Sequence, residues 1–244
     1  MRSFVSGSLG RVGGDKDEMA PNLIMLGPPG AGKGTQAERF ARVHGIPRVS
    51  TGDILREAVQ AGTDTGLRVK AVMDRGELVG DDVMIGIVRE RLDQPDARKG
   101  FVLEGFPRTV AQATALDVIV AGGAPLIIVD IVVPESELVR RLSFRQICAN
   151  CGVTATPGTT AAPVTCSKCG GRLVQRADDT DAVVLERLGV YRRDTKPLVE
   201  YYRARPTFCS IDGAQAPDRV TADIASAVEA AVSRGARATE GQTR

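Results

Sequence analysis

The segment Gly27-Pro28-Pro29-Gly30-Ala31-Gly32-Lys33-Gly34-Thr35 sets four glycines and a lysine between an apolar run and a helical stretch. Glycines let backbone N–H groups converge on phosphate oxygens, a helix N-terminus adds the positive end of its dipole, and Lys33 adds a full charge. This is a cradle for a nucleoside triphosphate, whose backbone and side-chain contacts fall to Gly30, Ala31, Gly32, Lys33, Gly34 and Thr35. The strict pattern places Ser or Thr directly after the lysine; here Gly34 intervenes and Thr35 follows. A second constellation is Cys148-Ala149-Asn150-Cys151 with Cys166-Ser167-Lys168-Cys169, two Cys-x-x-Cys pairs separated by 14 residues and each followed by glycine. Four thiolates make a closed tetrahedral site for structural Zn²⁺, with no position left for a catalytic water. Disulfides are the competing reading, weakened because a nucleotide enzyme without a secretory segment faces a reducing compartment. Cys209, alone in an apolar stretch, reads as a small buried hydrophobe.

Strand, loop and helix must alternate to place these groups. Leu23–Leu26 reads as a strand before the glycine loop and a helix over Gln36–Val43; Phe101–Leu103 precedes a helix over Ala111–Val120; Leu126–Val133 precedes a helix from Glu135 to about Ile147. Arg48–Val49 and Thr207–Ile211 supply two further strands. Apolar strands separated by helices indicate an α/β fold with a five-stranded parallel sheet covered on both faces. Two stretches interrupt the alternation: residues 50–79 are helical without a strand, and residues 144–178 are rich in Cys, Gly, Thr and Pro. Both read as inserted lobes, leaving a core of residues 21–49, 80–143 and 179–232. Residues 1–20 read as a disordered leader and 233–244 as a frayed tail. The apolar run Pro125–Val133 is about half of the roughly 20 residues that span a bilayer.

The composition is nearly neutral, 32 Lys plus Arg against 30 Asp plus Glu, so anion binding has to be local. A single histidine, His44, removes two-histidine zinc hydrolases and makes a nucleophile triad a poor reading. Guanine-reading switches drop back because no Lys is preceded by Asn. The sequence offers instead Ser50-Thr51-Gly52-Asp53-Ile54-Leu55-Arg56, Gly76-Glu77-Leu78-Val79, and Glu104-Gly105-Phe106-Pro107-Arg108-Thr109 with Gln112. From about Leu23 to Val220 the chain closely resembles the adenylate kinases, nucleoside monophosphate kinases that interconvert ATP and AMP with two ADP, on a P-loop nucleoside-kinase fold.

The resemblance implies an AMP pocket of Thr51, Arg56, Glu77, Leu78, Val79, Gly105, Phe106, Pro107, Arg108 and Gln112. In it Arg56 and Arg108 grip the phosphate, Gln112 faces the adenine edge, and Glu77 and Val79 mainly present backbone. It implies that Arg141, Arg145, Thr154, Ala155 and Gln215 lie on the ATP side, and that Arg176 and Arg187 reach the transferring group and AMP. Lys33, Arg108, Arg145, Arg176 and Arg187 then carry catalysis, with Mg²⁺ arriving on ATP. The 144–178 lobe becomes a zinc-stapled lid hinged near Phe144 and Asp178, and 50–79 the monophosphate lobe. Three departures stand out: Glu104 where the family usually has Asp, Phe144-Arg145-Gln146 in place of Gly-Arg-Arg, and Val153-Thr154-Ala155 where a polar aromatic is usual. A UMP or CMP kinase on the same fold is the nearest rival. A nucleotide-sensing zinc adaptor is disfavoured because the Cys lobe between Cys148 and Gly171 holds one Lys, no Arg and no aromatic, too little to bind nucleic acid. The resemblance further implies a soluble cytoplasmic monomer with ATP, AMP and ADP as its partners and no membrane attachment.

Overall fold

The computed structural model describes residues 20–155, 165–176 and 178–240. Five strands, β1 (Asn22–Leu26), β2 (Arg48–Ser50), β3 (Phe101–Glu104), β4 (Leu126–Val132) and β8 (Phe208–Asp212), pair in parallel in the order β2-β3-β1-β4-β8. This is the P-loop nucleoside-kinase sheet expected from the apolar runs, with β8 shifted one residue past the expected start. Alternate strand residues serve opposite faces. Leu23, Met25, Ile127 and Val129 pack beneath Ala37 and Phe40 of α1 (Lys33–His44) and Val220, Ile224 and Val228 of α9 (Pro217–Glu240). Ile24, Leu103 and Ile128 pack against Val88 of α4 (Asp81–Leu92), Leu116 of α5 (Val110–Ile119) and Tyr202 of α8 (Pro197–Arg203). With water excluded from both faces, the sheet fixes the loops that leave its carboxyl edge.

The register aligns that edge. Glu104 lies opposite both Met25 and Ser50, and Asp130 lies opposite Leu26. β1 sits between β3 and β4, so successive connections diverge to either side of it, which opens a crevice at the strand ends. Residues 50–79 hold α2 (Thr51–Gln60) and α3 (Asp64–Asp74), with Ser50 and Thr63 capping them through side-chain oxygens. The Cys lobe holds β5 (Gln146–Cys148), β6 (Thr154–Ala155) and β7 (Leu173–Gln175), antiparallel in the order β6-β5-β7. α7 (Asp181–Val190) returns to the core and runs through a π-helical turn at Tyr191–Thr195 into α8.

Two expected boundaries are corrected. The helix from Glu135, α6, ends at Ser143 rather than about Ile147, because Gln146–Cys148 pairs with β7 and delivers Cys148 to the thiol cluster. The chain does not fray at Ser233: α9 continues to Glu240, and Arg234 Nε donates to the Pro206 carbonyl at 2.8 Å, anchoring the segment where polarity alone suggested a tail. The expected leader, apart from Ala20, and residues 241–244 of the expected tail lie outside the described residues. Among the described residues no helix is long and apolar enough to cross a membrane.

Candidate active site

The glycine loop turns directly from β1 into α1. α1 begins at Lys33, three residues before the expected start, with Gly32 as its N-cap at φ 94°, a left-handed conformation that favours glycine. No side chain caps this end, so the N–H groups of the first turn stay available to a ligand, as a phosphate site requires. Lys33 Nζ donates to the carbonyls of Gly27 and Pro28, each at 2.8 Å, which holds the ammonium over the loop. Burial lowers its pKa to about 7; Glu104 opposes this, while Arg108, Arg187 and Arg145 add to it. Cations gathered this closely repel one another, and polyanion binding is what such an arrangement serves. Gly34 lies beside Glu104, where a Cβ would stand 3.3 Å from Oε1, so the crevice has little room for a side chain after Lys33. Ala31 is buried, and Thr35 is exposed on the first turn of α1.

Across the crevice, Thr51 is buried with Oγ1 3.4 Å from the Glu104 carbonyl, and Gly105 carries φ 81°. Arg56 pairs with Asp53. The Phe106–Pro107 bond is cis, and beyond it Arg108 Nε donates to the Gly105 carbonyl at 2.8 Å. Desolvation by the groups crowded around it lowers the Arg108 pKa against the pull of Glu104, although the residue is still exposed, and Arg56 and Arg176 lower it further. Gln112 is 1% exposed. Its Oε1 accepts from the Arg108 N–H at 2.8 Å and its Nε2 donates to Asp81 Oδ1 at 2.7 Å, so much of its hydrogen-bonding capacity is used within the protein. Val79 is buried, Leu78 half-buried, and Glu77 exposed, its carboxylate gripped by Arg75 at 2.8 and 2.7 Å.

The remaining arginines approach from the lobe side. Arg145 Nε donates to Asp179 Oδ2 at 2.6 Å, Arg187 Nη1 to Asp179 Oδ1 at 2.9 Å, and Arg176 reaches both oxygens of Asp178 at 2.8 and 2.6 Å. Asp179 is 1% exposed, so three guanidiniums converge on one acidic pair at the junction between the Cys lobe and the core. Burial lowers the Arg187 pKa to about 10; Asp178 opposes it, and Arg176 and Arg145 lower it further. Arg141 and Gln215 lie elsewhere, on the rim after β8. There Arg141 Nη2 donates to the Gly213 carbonyl at 2.9 Å, and Gln215 Nε2 donates to the Asp212 carbonyl at 3.1 Å and to Asp223 Oδ2 at 3.0 Å. Thr154 and Ala155 form β6 in the Cys lobe.

A family profile described as "Adenylate kinase" covers residues 25–207. An adenylate kinase of Archaeoglobus fulgidus is 50% identical over 215 residues, spanning 85% of this chain and 98% of that one. Those of Rhizobium etli and Geobacter sp. are 49% and 48% identical over 208 and 215 residues, covering 83% and 86% of this chain and 96% and 100% of theirs. The chain belongs to the adenylate kinase family.

In this adenylate kinase fold the four Cys Sγ atoms lie within 4.8 Å of one another, with Cys148–Cys169 at 3.4 Å and Cys151–Cys166 at 3.6 Å. Ligands about 2.3 Å from a tetrahedral zinc stand about 3.8 Å apart, so the donor set fits a structural Zn²⁺. The two knuckles are built alike: Asn150 N–H and Lys168 N–H each donate to the first sulfur of their pair at 3.4 Å, and Gly152 and Gly170 take φ 67° and 70°. N–H donation from Cys151 and Asn150 lowers the Cys148 thiol to about 6, while against N–H donation from Gly171 the sulfurs of Cys151 and Cys148 push the Cys169 thiol up, so the sulfurs titrate together. Glu104, at the end of β3 beside Gly34, is the carboxylate chemically suited to face a hard cation arriving on phosphates.

Three charged residues escaped the motif reading. Arg48 bonds both Asp53 and Glu104. Asp53 lies within a quoted motif, but its partners come from β2 and the next turn of α2. Asp130 is 5% exposed, and its Oδ1 has no hydrogen-bond partner among the described residues. Burial raises its pKa against the fields of Lys33 and Arg203. A single acid inside the apolar run Leu126–Val132 was the available signal for it.

Proposed function

We propose that this chain transfers a phosphoryl group reversibly from ATP to AMP, giving two ADP, and thereby balances adenine nucleotides. The observation that supports this best is the uncapped helix N-terminus behind the glycine loop, with Lys33 held over it by the Gly27 and Pro28 carbonyls and Arg108, Arg145 and Arg187 acting on its charge. Phosphoryl transfer asks little covalent work of a protein; it needs donor and acceptor in line, charge neutralised and water kept out. An ionised AMP phosphate oxygen attacks the terminal phosphorus of ATP, the bond to the bridging oxygen breaks, and ADP departs, so no general base is needed.

The glycine-loop amides and Lys33 hold the donor phosphates, with Gly30, Ala31, Gly32, Gly34 and Thr35 forming the cradle. Arg56 and Arg108 hold the AMP phosphate, with Thr51, Gly105, Phe106, Pro107, Leu78 and Val79 walling the pocket. Arg145, Arg176 and Arg187 leave Asp178 and Asp179 for the phosphates as the lid closes, while Arg141, Gln215, Thr154 and Ala155 frame the donor base. Mg²⁺ would be faced by Glu104 and Thr35, and when bound it neutralises charge on the phosphate oxygens. Zn²⁺ would be held by Cys148, Cys151, Cys166 and Cys169 as a staple for a lobe too small to fold on its own apolar core. The protein works as a cytoplasmic monomer, with no nucleic-acid partner.

A coupled assay supplying ATP and, separately, AMP, UMP, CMP or GMP tests the reading. AMP should be strongly preferred, with two ADP formed for each AMP consumed. Preference for UMP or CMP, or no ADP from ATP and AMP, would overturn it.

A further inference from the structure

Arg48 opens β2 and stands outside every phosphate motif, yet it joins carboxylates that serve the two sides of the crevice. Its Nη2 donates to Glu104 Oε2 at 2.9 Å and to Asp53 Oδ2 at 2.8 Å, its Nε also reaches Glu104 Oε2 at 3.2 Å, and Glu38 stands 3.9 Å from Nη1. Strand register explains the reach. Arg48 pairs with Val102 and Ser50 with Glu104, so Arg48 and Glu104 lie on the same face of the β2-β3 pair, two residues apart along it. Asp53 in turn holds Arg56, and the charge of Glu104 acts on Lys33 and Arg108.

A carboxylate inside a phosphate-binding crevice competes with phosphate for the same cations. Without Arg48, Glu104 would be free to turn on Lys33 and Arg108, and Asp53 would hold Arg56 alone. We propose that Arg48 is a positioning residue, touching neither nucleotide, that takes up Glu104 Oε2 and Asp53 Oδ2 together and so weakens the hold of these carboxylates on Lys33 and Arg56, which the phosphates of ATP and AMP must claim. This rests on the kinase reading above and adds that a single guanidinium tunes both nucleotide sites. The fork of Arg suits the task because Nε and Nη2 grip Glu104 together while Nη2 also reaches Asp53.

Calorimetric titration of the full zinc-loaded chain with AMP and, separately, with ATP without added magnesium provides the test. Arg48→Met should raise both dissociation constants on the order of tenfold, the magnitude of one charged hydrogen-bond partner. Adding Asp53→Asn to Arg48→Met should restore AMP binding but not ATP binding, and adding Glu104→Gln should restore ATP binding but not AMP binding. A merely structural role for Arg48 would not yield this side-specific rescue. Arg48→Lys serves if the Met variant does not fold: a single ammonium loses the second contact that Nε makes to Glu104, so ATP affinity should fall. The proposal is overturned if both affinities stay within about twofold of wild type, or if either second substitution restores both sides or neither. A wild-type chain that bound neither AMP nor ATP would instead overturn the kinase reading itself.

Discussion

Lys33 links the chemistry of the crevice to an observable pH dependence. Its pKa of about 7 in the free protein lies below the ordinary 10.5, chiefly because it is buried. The unfolded chain therefore binds the proton more readily between pH 7 and 10.5. The cost to folding is full below about pH 7 and fades as pH rises through that window. Phosphate beside the ammonium reverses the shift, so ATP binding at pH 8 should take up a proton, and ATP affinity should fall as pH climbs above about 7. Titrations in buffers of differing ionisation enthalpy read this uptake directly. Lys33→Met should abolish the uptake, cut turnover by about a hundredfold or more, and leave the melting temperature no lower than wild type. A fully active Lys33→Met protein would remove Lys33 from the mechanism. Asp179 tests the opposite case. Its side chain is 0% exposed and shared by Arg145 and Arg187. Asp179→Ala strands Arg145 and leaves Arg187 with Asp178 alone, and should cost about 3 kcal/mol, measured as a fall in the denaturation midpoint.

The Cys lobe makes the clearest prediction for a single element. Among the described residues its buried apolar cluster is Cys148, Cys166 and Leu173, with Cys151, Val153 and Ala155 half-buried against it, a small core to order the lobe without a metal. Chelation should release the amides of β5 and β7 to rapid hydrogen exchange while those of β1 and β4 stay protected, and turnover should fall with the lobe. Unchanged protection in β5 and β7 would contradict a metal staple. The same elements show what sequence conveys. The strand before Gly27 and the paired Cys-x-x-Cys spacings are local patterns, and local patterns are readable. The end of α6 at Ser143 was not, because the pairing of Gln146–Cys148 with Leu173–Gln175 crosses a long intervening segment. Nor was the continuation of α9 to Glu240, since Arg234 is anchored by Pro206, 28 positions away. Arg48 stayed silent for the same reason, its Glu104 partner lying 56 positions on. The burial of Gln112 against Asp81 depends on how α4 and α5 pack, which no motif encodes.

The whole molecule brings these parts to one edge of a parallel sheet. Strand register sets the glycine loop, Ser50, Glu104 and Asp130 in neighbouring rows, while the lobes carrying Arg56 and Arg145 attach beyond β2 and β4. With a net charge of +2, the attraction for nucleotides is produced locally, by the arginines and Lys33 at this edge. Closure of the lobes would exchange Asp178 and Asp179 for phosphate as the partners of Arg145, Arg176 and Arg187. A crystal structure with a bisubstrate mimic, two adenosines joined by a polyphosphate, examines this most directly. It should show one end of the phosphate chain on the glycine-loop amides and Lys33, the other on Arg56 and Arg108, and the three lobe-side arginines turned inward between them. A mimic held at one end alone, or lobe-side arginines still paired with Asp178 and Asp179 and facing away from the phosphates, would contradict it.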